Sequence, residues 1–153
     1  MTPTSNNYAE AAMLIRKHPN EVFEAFIDPE ITTKFWFTKS SGRLEVDQPV
    51  DWTWEMYDHT FQVTAKEIIH GKKILIQWGD DPESQVEWEF QSLEEGTFVT
   101  IHVTGFKGSN EELISQIRDA TGGFTWVLAG LKAYLEHNNQ LNLVADRYPK
   151  GLD

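Results

Sequence analysis

The spacing of apolar residues changes once along this chain, from every second residue to every third or fourth, and this change constrains the fold more than any other feature. From Gly42 to Phe106, apolar and polar residues alternate in short runs that are separated by glycine, proline and acidic residues. This pattern is typical of closely spaced antiparallel strands with one solvated face. From Ser109 to Asn138, apolar residues recur at steps of three and four, as on one face of a helix about seven turns long. The apolar face of the sheet needs a cover, and we expect this helix to provide it.

The residues before Gly42 predict a strand followed by two short helices. Residues 8–17 alternate as a first strand. Asn20 is a residue type that caps helices, and Pro29 ends the helix that follows it. A second short helix is expected over about 30–36. The fold class is therefore predicted to be α+β: a curved antiparallel sheet of about six or seven strands wrapped around a long C-terminal helix, with two short helices after the first strand.

The strands of the middle region are expected near Leu44 and Val46, over "VDWTWEMY", and in four later runs that end at Phe106. One domain is predicted for residues 1–153, with a core at 8–138 and a C-terminal tail at 139–153. The tail carries a small apolar cluster, Leu141, Leu143 and Val144. We expect this cluster to fold back on its own domain or to pack on a second copy, so the protein is a monomer or a homodimer.

The charge and the residue content exclude several classes of function. The net charge of −11 argues against nucleic acid and against an anionic membrane surface, since both require clustered Lys and Arg. The absence of cysteine excludes disulfides, thiolate catalysis and cysteine metal sites. Residues 1–12 contain no apolar signal core, and no apolar run approaches the roughly 20 residues of a membrane span. The expected location is the cytoplasm.

Large aromatic residues cluster on the predicted inner face of the sheet. In "VDWTWEM", Trp52, Trp54 and Met56 occupy alternate positions, which share one face in an extended strand. Gly122-Gly123 has no side chains, so the covering helix is narrower at these two positions. These residues either line an apolar cavity or fill a core, and the requirement of buried indole N–H groups for partners favours the cavity. The predicted lining residues are Trp36, Trp52, Trp54, Met56, Ile76, Trp78, Trp88, Phe90, Ile117, Gly123, Phe124 and Val127.

Neither catalysis nor metal binding has a motif in this sequence. The five histidines lack the spacing of paired metal ligands, and no cysteine can assist them. The acidic turn Asp80, Asp81 and Glu83 lacks the pattern of an EF-hand loop. Alternate residues of a strand share one face, and this strand parity directs Asp51, Glu55 and His102 outward, away from any cavity. We therefore expect no catalytic residue, no metal and no cofactor.

Three segments resemble a known family. "NEVFEAFIDPEITTKFW" resembles the opening motif of the START-like, helix-grip proteins, and "GFTWVLAGLKAYLE" resembles their closing helix, with Phe124 in place of the usual Trp. "KEIIHGKKILIQW" is similar to one of their strand pairs. Within this superfamily the chain is identified as similar to the homologues of the heat-shock-protein-90 ATPase activator. The resemblance covers residues 9–137, and it implies a sheet that grips a C-terminal helix and often encloses an apolar cavity.

Three functions follow as hypotheses. The first is a cytoplasmic domain that binds a small apolar molecule in an aromatic-lined cavity. The second is an interaction protein similar to the chaperone activator, although 153 residues leave no room for the activator's additional N-terminal domain. The third is a cyclase or hydrolase, which would need an inward-facing acid or base that the strand parity does not supply.

Overall fold

The computed structural model describes residues 7–152, and within them seven strands form one antiparallel sheet. The strands are β1 (Ala9–Ile15), β2 (Lys39–Ser40), β3 (Pro49–Trp54), β4 (His59–Ile69), β5 (Lys73–Trp78), β6 (Gln85–Leu93) and β7 (Gly96–Thr104). Their order across the sheet is β1-β7-β6-β5-β4-β3-β2, so strands β2 to β7 form a continuous meander and β1 closes it beside β7. The predicted α+β class is confirmed.

The helices lie before and after this meander. They are α1 (Pro19–Ile27), α2 (Pro29–Thr32), α3 (Asn110–His137) and α4 (Leu143–Arg147). The long helix α3 begins at a capping box of Ser109 and Glu112, whose S-x-x-E spacing is a sequence signal for the start of a helix, and it ends at Asn138 in the left-handed conformation. Among the described residues, no helix combines the length and the apolar character that a membrane crossing requires.

Three local predictions are wrong. His18, not Asn20, caps α1, since its Nδ1 accepts a hydrogen bond from the Asn20 backbone N–H at 3.1 Å. Helix α2 ends at Thr32, short of the predicted boundary. The segment around Leu44 and Val46 forms only isolated bridges in place of a strand.

The strand predicted over "VDWTWEMY" ends early, at Trp54. Residues 55–57 form a 3₁₀ turn, and Asp58 follows in the left-handed conformation with φ of 52°. This conformation reverses the chain into β4. Met56 therefore lies in a turn, outside the alternation that was expected to place it beside Trp52 and Trp54.

The core lies between the inner face of the sheet and one face of α3. Trp52 is 2% exposed and Trp88 is 1% exposed, and Trp54 is also buried, as the strand parity predicts. The Phe37 ring stacks on Trp52 with centroids 4.6 Å apart. Glu89, on the opposite face of β6, is exposed. The parity rule therefore assigns both faces of this strand correctly.

The C-terminal tail folds back on its own domain. Helix α4 packs on α3, and the Val144 side chain contacts the hydrophobic core. The Tyr57 hydroxyl donates a hydrogen bond to the Val144 carbonyl oxygen. Leu143 and Val144 are half-buried on their own domain, as in the first of the two alternatives, while Leu141 stays 46% exposed. The monomer or homodimer state stays a prediction.

Candidate functional site: an aromatic cavity under the long helix

A cavity of about 580 Å³ opens between α3, the β4–β5 hairpin and α4. Its walls are almost entirely apolar, and its size falls within the range of small-molecule sites, about 300–1,000 Å³. The lining residues are Trp36, Tyr57, Phe61, Trp78, Asp119, Ala120, Gly123, Phe124, Trp126, Val127, Val144, Arg147 and Tyr148.

Aromatic rings from the sheet side form one wall. Phe61 on β4 and Trp78 on β5 lie with ring centroids 5.4 Å apart, because the two strands pair in an antiparallel hairpin. Trp36 follows α2 and contacts Phe124 of the helix at 5.6 Å. Trp36 also contacts Trp52 and Trp88 in the core, at 5.0 and 6.0 Å. The wall is therefore held in place by the packed core beneath it.

The helix α3 supplies a second wall through residues at helical spacing. Four lining residues have the spacing i, i+3, i+4 and i+7, which places them on one face of the helix: Ala120, Gly123, Phe124 and Val127. A Cβ atom built on Gly123 would meet no heavy atom within 4 Å, so this position leaves open space toward the cavity. Trp126 is 41% exposed and forms part of the rim.

The tail helix α4 supplies the third wall. Val144 contacts the core, while the Arg147 guanidinium lies 4.4 Å above the centroid of the Tyr148 ring. The Tyr148 ring also meets the Tyr57 ring at 6.0 Å. Burial raises the pKa of Tyr57, and Tyr148 adds to this rise, while the Arg147 charge opposes it. Tyr57 therefore stays protonated at neutral pH and remains a donor to the Val144 carbonyl.

The structure brings five of the predicted site residues to the cavity: Trp36, Trp78, Gly123, Phe124 and Val127. Five others lie in the buried core: Trp52, Trp54, Ile76, Trp88 and Phe90. Ile117 is half-buried on α3, and Met56 faces a separate small pocket of about 50 Å³ that it shares with Trp36. Ligand contact by all twelve residues stays a prediction.

Several lining residues were missed by sequence reasoning. Ala120 and Val144 belonged to recognised apolar patterns, so their positions could have been inferred. Tyr57 closes the predicted strand "VDWTWEMY" with the parity opposite to that of Trp54, and it reaches the cavity because residues 55–57 form a turn. Arg147 and Tyr148 lie in a polar tail that has no periodicity to assign a face. Phe61 was assigned to a strand, but the parity rule does not tell which end of the sheet stays uncovered.

The polar chemistry of the site is sparse. The described residues contain no group of three His, Asp or Glu side chains placed to hold a metal ion. Asp51 and Glu55 are exposed, and His102 lies on the outer face, 3.8 Å from Glu10, as the parity predicts. The indole N–H of Trp88 is fully buried and has no hydrogen-bond partner within residues 7–152. The Trp88 ring contacts the rings of Phe26 and Trp36, with centroids 5.5 and 6.0 Å apart.

The curved sheet, its covering helix and the short helices after β1 define a protein of the START-like, helix-grip class. The chain belongs to the family described as activator of Hsp90 ATPase homolog 1-like proteins, whose family model matches residues 16–136. That match ends before α4. No curated protein matches the sequence significantly.

Solved structures share this fold over most of the chain. Protein SSP2350 from Staphylococcus saprophyticus has 28% identity and a TM-score of 0.77, over 88% of this chain and 95% of its own. DynU16, a putative protein in the dynemicin biosynthetic locus, has 18% identity and a TM-score of 0.76, over 89% of this chain and 49% of its own. The Aha1 dimer from Colwellia psychrerythraea has 17% identity and a TM-score of 0.75, over 86% of this chain and 98% of its own.

Proposed function

We propose that this protein binds a small hydrophobic molecule in the aromatic cavity. The observation that carries the proposal is the cavity itself, about 580 Å³ in volume and walled by aromatic and aliphatic side chains from three elements. A ligand that enters it removes apolar surface from water, at a gain of about 25 cal/mol per Å².

The fixed positions of the aromatic rings also support ligand binding, in addition to the volume of the cavity. Trp36 and Phe124 contact each other edge to face, with ring centroids 5.6 Å apart, and both contact Trp88, which is 6.0 Å from Trp36 and 6.3 Å from Phe124. Because these rings are already fixed by core packing, a ligand does not have to order them. Such preorganisation lowers the entropic cost of binding.

The test is a titration with N-phenylnaphthylamine, an uncharged hydrophobic probe whose fluorescence rises in apolar surroundings. We expect saturable binding, energy transfer from the tryptophans of the wall, and displacement of the probe by decanol. A linear, unsaturated response, or no displacement by decanol, would contradict the proposal.

Two exposed apolar residues on strands provide a matched pair of variants. Phe61 lines the cavity and is 39% exposed, while Leu93 lies outside it and is 45% exposed. Phe61→Ser should weaken the binding of N-phenylnaphthylamine, because it removes one ring of the wall. Leu93→Ser should leave the binding unchanged. Equal effects of the two substitutions would show that the probe binds exposed apolar surface in general.

A second candidate function is an interaction with a chaperone. The family to which the chain belongs is described by activation of the Hsp90 ATPase, and this description favours a co-chaperone role. The apolar rim formed by Phe61, Trp126 and Tyr148 offers a surface for such a contact. A stimulated ATPase rate of purified Hsp90 on addition of the protein would support this function, and an unchanged rate would leave ligand binding as the better proposal.

A further inference from the structure

Two charged side chains stand among the apolar lining of the cavity, Arg147 on α4 and Asp119 on α3. Within residues 7–152, no carboxylate lies within 4.0 Å of the Arg147 guanidinium, although acidic residues outnumber basic ones by 24 to 13 in the sequence. Arg147 also lies outside the segment that matches the family model. A cationic group at an apolar cavity is therefore a feature of this chain's own tail.

Arg147 is directed toward the cavity by its contacts. Its guanidinium lies on the face of Tyr148, and its charge acts on the hydroxyl of Tyr57; both tyrosines line the cavity. A cation–π contact uses the charge of the guanidinium and no hydrogen-bond acceptor, so N–H groups of Arg147 remain available as donors. Those N–H groups match a carboxylate, which Arg binds with two parallel hydrogen bonds.

We propose that the cavity takes an amphipathic carboxylic acid, such as a fatty or an arylalkanoic acid. The apolar body of the ligand lies against the wall that Trp36, Trp78 and Phe124 form, and its carboxylate pairs with Arg147. This inference rests on the proposed function, since it names the chemical class of the ligand for the same cavity.

Asp119 defines the opposite possibility, a ligand with an ammonium group. Asp119 is exposed on α3, and no described contact joins its carboxylate to another lining residue. A solvated carboxylate of this kind interacts weakly with a cation, because water and salt screen it. Arg147 is exposed as well, but its guanidinium is held over the Tyr148 ring, whereas no such contact orients Asp119. Arg147 is therefore the better-positioned of the two charges, and it determines which head group is preferred.

The experiment compares three ligands of equal chain length: decanoate, decanol and decylammonium, each below its micellar concentration and at low ionic strength. Binding is measured by displacement of N-phenylnaphthylamine. We expect decanoate to bind about fivefold more tightly than decanol, the upper range for an ion pair near solvent. The preference for decanoate should diminish as salt is added.

Three variants locate the charge that is responsible. Arg147→Met should abolish the preference for decanoate while changing the affinity for decanol by less than about twofold, a difference that corresponds to under half a kcal/mol. Arg147→Lys should keep part of the preference. Arg118→Met is the matched control, since it removes one exposed positive charge outside the cavity, and it should keep the full preference.

The outcomes separate this inference from the proposed function. If decanol binds but decanoate has no advantage, or if Arg147→Met leaves the advantage intact, the inference is wrong and hydrophobic binding stands. Tightest binding of decylammonium would also overturn it and assign the site to Asp119. If none of the three ligands displaces the probe, both the inference and the proposed function fail.

Discussion

Replacing Gly123 with leucine should stabilise the protein and at the same time weaken its binding of ligand. Gly123 lies inside α3 without positive φ, and a Cβ atom there meets no heavy atom within 4 Å. Removing a glycine from a helix interior gains about 0.5–1 kcal/mol. For a domain of this size, that gain raises Tm by about 2–4 °C. The new isobutyl group projects into the cavity and takes up space that the ligand would fill. Relieving such an overlap costs about 1–3 kcal/mol, so the affinity should fall at least about fivefold.

Gly122 provides the matched control for this prediction. It is the adjacent helical glycine, it also has open space around its Cβ position, and it does not line the cavity. Gly122→Leu should raise Tm by a similar amount and leave the binding of N-phenylnaphthylamine unchanged. Thermal unfolding and probe titration are measured on the same samples. Wild-type affinity in Gly123→Leu, or a fall in its Tm, would refute the reasoning that this glycine keeps the cavity open.

Three further predictions concern charge, surface and tail. Burial alone would raise the pKa of Glu136, but the Arg16 backbone N–H and the Lys132 ammonium outweigh it and lower this pKa below its usual value. The stabilisation by this carboxylate is therefore present at neutral pH and is lost as pH falls through the folded pKa. Glu136→Gln should lower the free energy of unfolding by about 1.5 kcal/mol at pH 7 and leave it unchanged at acidic pH, as measured by urea unfolding. A loss of stability that does not depend on pH would contradict this prediction. Glu89→Gln, on the exposed outer face, should change stability by only a few tenths of a kcal/mol, and a loss above about 2 kcal/mol would show that the site is not exposed. Deleting residues 140–153 removes the α4 wall and should weaken probe binding several-fold, whereas unchanged affinity would show that α4 has no part in the site.

The sequence predicts most of the fold because its signals are periodic. Alternation in β6 buries Trp88 and exposes Glu89, and the stripe of α3 buries Val127 and Leu131. The capping box at Ser109 gives the correct start of α3. These features depend on local pattern and on the need to bury one face, and both can be inferred without coordinates.

The division between core and cavity cannot be inferred in the same way. Trp52 and Trp78 share an inward parity, yet Trp52 is sealed beneath Phe37 while Trp78 lines the cavity. Trp36 lies at the boundary between the two, since it contacts Trp52 and Trp54 in the core, contacts Phe124 of the helix, and lines the cavity. Ring packing between distant segments decides whether an inward-facing tryptophan lies in the core or lines the cavity. Neither the spacing of apolar residues nor the composition predicts such packing. The segment "VDWTWEM" therefore contributes Trp52 and Trp54 to the buried core.

The most direct test of the central claim is the response of the six indole N–H signals in a heteronuclear NMR titration with decanol. Trp36, Trp78 and Trp126 line the cavity, while Trp52, Trp54 and Trp88 do not. An aliphatic ligand in the cavity should shift the first three signals together and saturably, with smaller shifts in the other three. Uniform small shifts, or no shifts at saturating decanol, would contradict the account that this cavity is a ligand-binding site.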